Sequence, residues 1–67
     1  MCLSSVYEHR PEGESLLCRN IANVRIQPGK LTFIDIMGFQ TEYRGQLCSL
    51  DFMENKIIVS GADNTSI

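Results

Sequence analysis

Apolar and polar residues alternate along most of the chain, which is the pattern of half-buried β-strands. The segment LTFIDIM (31–37) sets Leu31 and Phe33 on one face and Thr32 and Ile34 on the other. The same alternation recurs in the segments CLSSVYE, IANVRIQ, GFQTEYRG, QLCSLDF and ENKIIVS. No long stretch has the 3.6-residue period of a helix. The pattern therefore predicts an all-β protein of five to six short strands.

Turn residues separate the alternating segments. Pro28 and Gly29, in QPGK, suit the two central positions of a type II turn, because proline presets the first and glycine supplies the positive φ of the second. Glu54–Asn55 suits a tight turn, and RPEGES (10–15) predicts a polar loop. Strands joined in hairpin order predict a small antiparallel barrel or a strongly curved sheet.

The chain has 67 residues, which predicts a single small β domain over 1–67 with a frayed tail at 61–67. A chain of this size buries only about 60% of its unfolded surface and commonly relies on a partner chain or a metal. Several apolar residues fall on the strand faces opposite the predicted core: Ile21, Ile34, Ile36, Leu47 and Ile58. A symmetric homodimer is the simplest way to cover such a patch.

Charge argues against a nucleic-acid partner. The net charge is −2, and the six basic residues are dispersed among eight acidic ones. Phosphate binding supplies most of the affinity of a nucleic-acid-binding protein, and it requires a basic surface. Residues 1–13 carry no basic-then-apolar signal pattern, and no apolar run approaches the ~20 residues of a membrane span, so we expect a cytoplasmic protein.

The cysteines and the histidine are the residues with metal-binding chemistry. Three cysteines, Cys2, Cys18 and Cys48, form no CxxC motif, and an odd number in a reducing compartment predicts no lasting disulfide. Cys18 and Cys48 lie within strand patterns, which predicts that they pack in the core. We expect His9 to be a solvated surface residue, with a secondary metal ligand as the alternative.

No catalytic motif is visible. The single histidine has no partner nucleophile that the sequence identifies, and the glycines are isolated turn residues rather than a phosphate-binding loop. The sequence therefore predicts that the protein is not an enzyme.

The start "MC", the length, the QPGK hairpin and the segment YRGQLCSLDFMENKIIV (43–59) resemble the CooT family. These are small accessory proteins associated with nickel insertion into carbon monoxide dehydrogenase. The resemblance implies a barrel-like homodimeric metallochaperone that binds Ni(II) through the N-terminal cysteine, here Cys2. It also implies partners: carbon monoxide dehydrogenase or its maturation factors.

The chemistry of the first two residues is compatible with nickel. The Met1 amine, the Cys2 amide nitrogen and the Cys2 thiolate can close two five-membered chelate rings around an ion that accepts nitrogen and sulfur ligands. Without Met1, the Cys2 amine and thiolate still close one ring. A two-fold axis near the first strand would bring two Cys2 residues to one metal. Two alternatives stay open: a nucleic-acid-binding barrel, and a structural or adaptor dimer whose thiol is incidental.

Overall fold

A computed structural model describes residues 3–61, which form five strands closed into a barrel in the order of the chain. The strands are β1 (Ser4–Arg10), β2 (Gly13–Gln27), β3 (Lys30–Asp35), β4 (Gln40–Asp51) and β5 (Lys56–Gly61). The predicted all-β, barrel-like fold is confirmed. Apart from Gly61, the predicted tail 61–67 lies outside the described residues. Within residues 3–61 there is no helix of the length and apolarity needed to cross a membrane.

The ring is closed by its first and last strands. Each consecutive pair of strands is antiparallel, whereas β1 and β5 run parallel, in register from Ser5↔Lys56 to Glu8↔Val59. The Ser5 amide also donates to the carbonyl of Asn55, at 3.0 Å. Among residues 3–61, closure leaves no long strand edge unpaired, which removes the usual template for aggregation.

Two long strands bend so that each pairs with two neighbours. The first part of β2 pairs with β1 and the second with β3, with a register shift between Ile21 and Asn23. Likewise β4 pairs first with β3 and then with β5, with a shift between Leu47 and Ser49. The segments 38–45 and 46–52, predicted as separate strands, therefore form one continuous strand.

That strand continues through a glycine that the sequence marked as a turn residue. Gly45 is buried, and its amide donates to the carbonyl of Gly29 at 3.1 Å. A Cβ built on Gly45 would lie 2.7 Å from Cε2 of Tyr43 and 2.9 Å from Cα of Gly61, and it would collide with the carbonyl oxygen of Ser60. Glycine is needed here for close packing of the backbone, not for a turn.

The core lies inside the ring. Its buried apolar residues are Val6, Ile21, Leu31, Phe33, Ile57 and Val59. The prediction placed Ile21 on the outer face; it is buried, because the β-bulge beside it shifts the alternation of β2. The predicted turns hold: Gly29 has φ 73° and Asn55 has φ 56°. The predicted loop at 10–15 is shorter than expected, since β2 already begins at Gly13.

Candidate functional site

An apolar opening lies beside the start of β1. Ser4, the first residue of β1, pairs with Ile21 of β2, and the next residue pairs with Lys56 of β5. Beside Ser4 is a pocket of about 280 Å³, which we call the barrel mouth. It is lined by Ser4, Val24, Ile26, Leu47, Leu50, Asp51, Phe52, Lys56 and Ile57. Three of these can form polar contacts, and the rest are apolar.

The rim of the barrel mouth exposes large apolar side chains. Phe52 is 82% exposed, Ile26 66% and Leu50 47%. The turn that carries Phe52 is held in place by the carboxylate of Asp51, whose Oδ1 accepts hydrogen bonds from the amides of Met53 and Glu54, each at 3.0 Å. A cluster of exposed apolar residues, one on an ordered turn and two on strands, is typical of a protein interaction surface.

A second feature joins two strands that are not neighbours in the ring. The phenol of Tyr43 on β4 donates to Oε2 of Glu8 on β1, at 2.6 Å. Nε of Arg10 donates to Oε1 of the same carboxylate at 2.8 Å. We call this the Glu8–Tyr43 bridge. It passes over β5 at Gly61, where an added Cβ would lie 3.0 Å from the Tyr43 phenol and 3.4 Å from Oε2 of Glu8.

The bridge fixes the protonation of both partners. The hydrogen bond from Tyr43, followed by that from Arg10, lowers the pKa of Glu8, because both donors stabilise the carboxylate. Burial, followed by the neighbouring carboxylate, raises the pKa of the Tyr43 phenol. Glu8 is therefore an ionised acceptor and Tyr43 a protonated donor at neutral pH. The polar atoms of both side chains thus bond to each other and to Arg10, which indicates a structural role for the bridge.

The two predicted metal ligands, Met1 and Cys2, lie outside the described residues. His9 is exposed in the β1–β2 hairpin, in register with Glu14. Five strand steps separate His9 from Ser4, a distance of about 17 Å. His9 therefore does not share the barrel mouth with the start of its own strand. Within residues 3–61, no three side chains of His, Cys, Asp or Glu come together as a metal-binding group.

The other two cysteines differ from each other. Cys18 is half-buried and packs against the core, and burial followed by the charge of Asp35 raises the pKa of its thiol. Core packing is thus confirmed in outline for Cys18. For Cys48 the prediction is wrong: its side chain is exposed. The register shift between Leu47 and Ser49 breaks the two-residue alternation on which the prediction depended.

Sequence reasoning missed the Glu8–Tyr43 bridge. Its partners are 35 positions apart and on strands that are not adjacent, so no local pattern joins them. The available signal was compositional: two glycines, Gly45 and Gly61, flank the bridge on strands that otherwise favour branched and aromatic residues.

Comparison with known proteins agrees with the fold. A crystal structure of a putative CooT from Carboxydothermus hydrogenoformans superimposes with a TM-score of 0.83 at 16% identity, covering 92% of this chain and 100% of that one. No curated protein matches the sequence. The family model described as "CO dehydrogenase accessory protein CooT" matches residues 1–60. The chain therefore belongs to the CooT family of carbon monoxide dehydrogenase accessory proteins.

Proposed function

We propose that this accessory protein binds Ni(II) through Cys2 beside the barrel mouth and passes it to carbon monoxide dehydrogenase or one of its maturation factors. The observation that carries the proposal is the position of Ser4 on the lining of the mouth. Two residue steps separate Cys2 from Ser4, a reach of about 7 Å. A metal held by Cys2 would therefore sit next to an ordered apolar surface.

The donor set suits nickel as a cargo. The Cys2 thiolate supplies a soft ligand, and the backbone nitrogens of residues 1 and 2 supply the others. Cys18 is a poor competitor, because burial favours its protonated thiol. The thiol of Cys2 must lose its proton to bind, so nickel affinity should rise with pH.

A second copy of the chain is the proposed cover for the mouth. Two mouths facing each other across a two-fold axis would bury Phe52, Ile26 and Leu50 of each copy. The same arrangement would bring two Cys2 residues within reach of one ion. In this proposal the homodimer is needed to complete the metal site.

Binding and transfer require no catalysis by the protein itself, and we propose that it is not an enzyme. Handing nickel to a carbon monoxide dehydrogenase also fits the cytoplasm as the place of action. A recipient protein would reach the ion by displacing the second copy from the mouth, since ligand exchange needs access to the metal.

The test is nickel titration of protein with a native amino terminus, followed by absorption spectroscopy in the thiolate-to-metal charge-transfer region. Cys2→Ser should abolish that absorption and weaken binding, because a hydroxyl stays protonated at neutral pH. The matched control is Cys48→Ser, which removes the exposed thiol on β4 and should titrate as the parent does. If Cys2→Ser retains the parent's spectrum and stoichiometry, the site lies elsewhere and the proposal fails.

A further inference from the structure

We propose that the turn between β2 and β3 forms a binding site for a single oxyanion, a carboxylate or a phosphate group. The site is a pocket of about 380 Å³ lined by Gln27, Pro28, Gly29, Lys30 and Arg44. Its lining contains two cations and one amide, and no acidic side chain. It is independent of the barrel mouth, because Gln27 points away from the side of β2 that carries Val24 and Ile26.

The strand register brings the three donor side chains into one row. Gln27 of β2 lies opposite Lys30 of β3, and Lys30 lies opposite Arg44 of β4. Directly opposed residues place their side chains on the same face of a sheet. The neighbouring Leu31 is buried in the core, so the row faces outward. The three side chains therefore lie side by side on the outer surface of the barrel, where they line one pocket.

The position of Lys30 directly opposite Arg44 lowers the stability of the fold. Like charges directly across two strands repel each other, and an opposite-charge pair would be more stable there. The ion pair of Lys30 with Glu42, 3.4 Å between Nζ and Oε2, offsets part of this repulsion. Within residues 3–61, Arg44 forms no ion pair. An anion bound between the two cations would relieve the remaining repulsion.

Charge on this face is opposite in sign to that of the whole chain. The next row of the same face carries Arg25 and Glu42, on either side of Thr32. Three of the six basic residues and one of the eight acidic residues thus lie here, a net charge of +2, while the rest of the chain carries −4. The two cations of the pocket suit one oxyanion, whereas nucleic-acid-binding proteins commonly contact about 6–10 phosphates.

The backbone holds the site ready for a ligand. Gly29 has φ 73°, and a Cβ built on it would meet no atom within 4 Å, so the pocket is open above the turn. The carbonyl of Gly29 accepts a hydrogen bond from the amide of Gly45, next to Arg44. This bond fixes the turn to β4, which limits the ordering that binding requires. The Arg44 guanidinium can then bind two oxygens of one anion while Lys30 and Gln27 donate to others.

The experiment is an NMR titration of the whole chain, following backbone amide shifts at constant ionic strength. Inorganic phosphate is added in one series and glutarate in the other, with chloride replaced so that ionic strength does not change. We expect saturable shifts confined to the amides around Gly29, Lys30 and Gly45 in at least one series. Saturation by phosphate alone identifies a phosphoryl ligand, and saturation by glutarate alone identifies a carboxylate; saturation by both identifies a general oxyanion site.

Two variants of equal net charge test the location. Arg44→Gln should weaken binding at least about tenfold, because it removes the guanidinium that contacts the anion. Arg19→Gln removes an exposed arginine outside the pocket and should bind as the parent does. The proposal is overturned if neither anion saturates, if the shifts spread over all basic residues, or if both variants titrate alike. None of these results depends on nickel or on Cys2.

Discussion

The Glu8–Tyr43 bridge and the barrel mouth lie on one ring of strands, but the side chains of the bridge are paired within the chain and those at the rim of the mouth are exposed. At the bridge, the carboxylate and the phenol contact each other within the chain. At the mouth, Phe52 on an ordered turn and its apolar neighbours Ile26 and Leu50 on the strands are exposed. Apolar residues that stay exposed at the mouth contribute little to the free energy of unfolding, which is small in any domain. The bridge and its glycines stabilise the closed ring and offset that missing contribution.

The two regions also require different kinds of residue. The bridge requires glycine at positions 45 and 61, because a Cβ added at either position would press against Tyr43 and its neighbours. The mouth depends on exposed apolar area, which Phe52, Ile26 and Leu50 supply at its rim. Substitutions at the bridge should therefore change the free energy of unfolding, and substitutions at the mouth should change association.

The largest expected effect is that of Gly45→Ala. The new Cβ would collide with the carbonyl of Ser60 and press on the ring of Tyr43, so both β5 and the bridge must shift. We expect a loss of about 3 kcal/mol in the free energy of unfolding, measured by urea denaturation. The control Gly29→Ala meets no atom within 4 Å and carries only the strain of its positive φ, about 1 kcal/mol. Equal losses in the two variants would contradict the packing role of Gly45.

The next effect is that of Tyr43→Phe, which removes the phenol donor from Glu8 and leaves the ring in place. A charge-assisted hydrogen bond is lost beside a buried carboxylate, which should cost about 2 kcal/mol at pH 7. The matched control is Tyr7→Phe, because within residues 3–61 the Tyr7 hydroxyl makes no hydrogen bond. Its cation–π contact, with Nζ of Lys56 4.9 Å from the ring centre, survives the change. Tyr7→Phe should stay within about 0.5 kcal/mol of the parent.

The bridge should also make stability depend on acid pH. The pKa of Glu8 is lowered from its ordinary value of 4.5, so the stabilisation is fully present above that value and is lost as pH falls through the lower folded-state pKa. In Tyr43→Phe the first of the two stabilising donors is gone, and the loss between neutral pH and about pH 3 should be smaller. Urea midpoints for both proteins across this range give the comparison. Parallel curves would show that the bridge does not set the titration of Glu8.

The smallest effect on stability is expected at the mouth. Phe52→Ser should change the free energy of unfolding by no more than about 0.5 kcal/mol, because the ring is largely exposed in the single chain. The same change should weaken the proposed dimer, as measured by sedimentation velocity over a concentration series. Met37→Ser, at an exposed apolar residue on the β3–β4 turn, is the control and should leave association unchanged. If Met37→Ser dissociates the protein and Phe52→Ser does not, the interface is on the other turn.

Periodicity predicted the strands well because most of each strand is regular. The alternation at 31–37 placed Leu31 and Phe33 in the core, where they lie. It failed beside the two register shifts, where an extra residue reverses inside and outside: Ile21 is buried and Cys48 is exposed. The bridge and the oxyanion pocket depend on which strands meet in the closed ring. That pairing is set by tertiary packing rather than by local pattern.

The parallel pairing of β1 with β5 has a consequence for synthesis. Translation proceeds from the amino terminus, so β1 is made before the other four strands, and β5, with which it pairs, is made after them. Until Ile57 and Val59 have emerged, Val6 lacks its neighbours and Ser4 borders no finished pocket. A nascent chain therefore presents the complete mouth only after β5 has emerged from the ribosome.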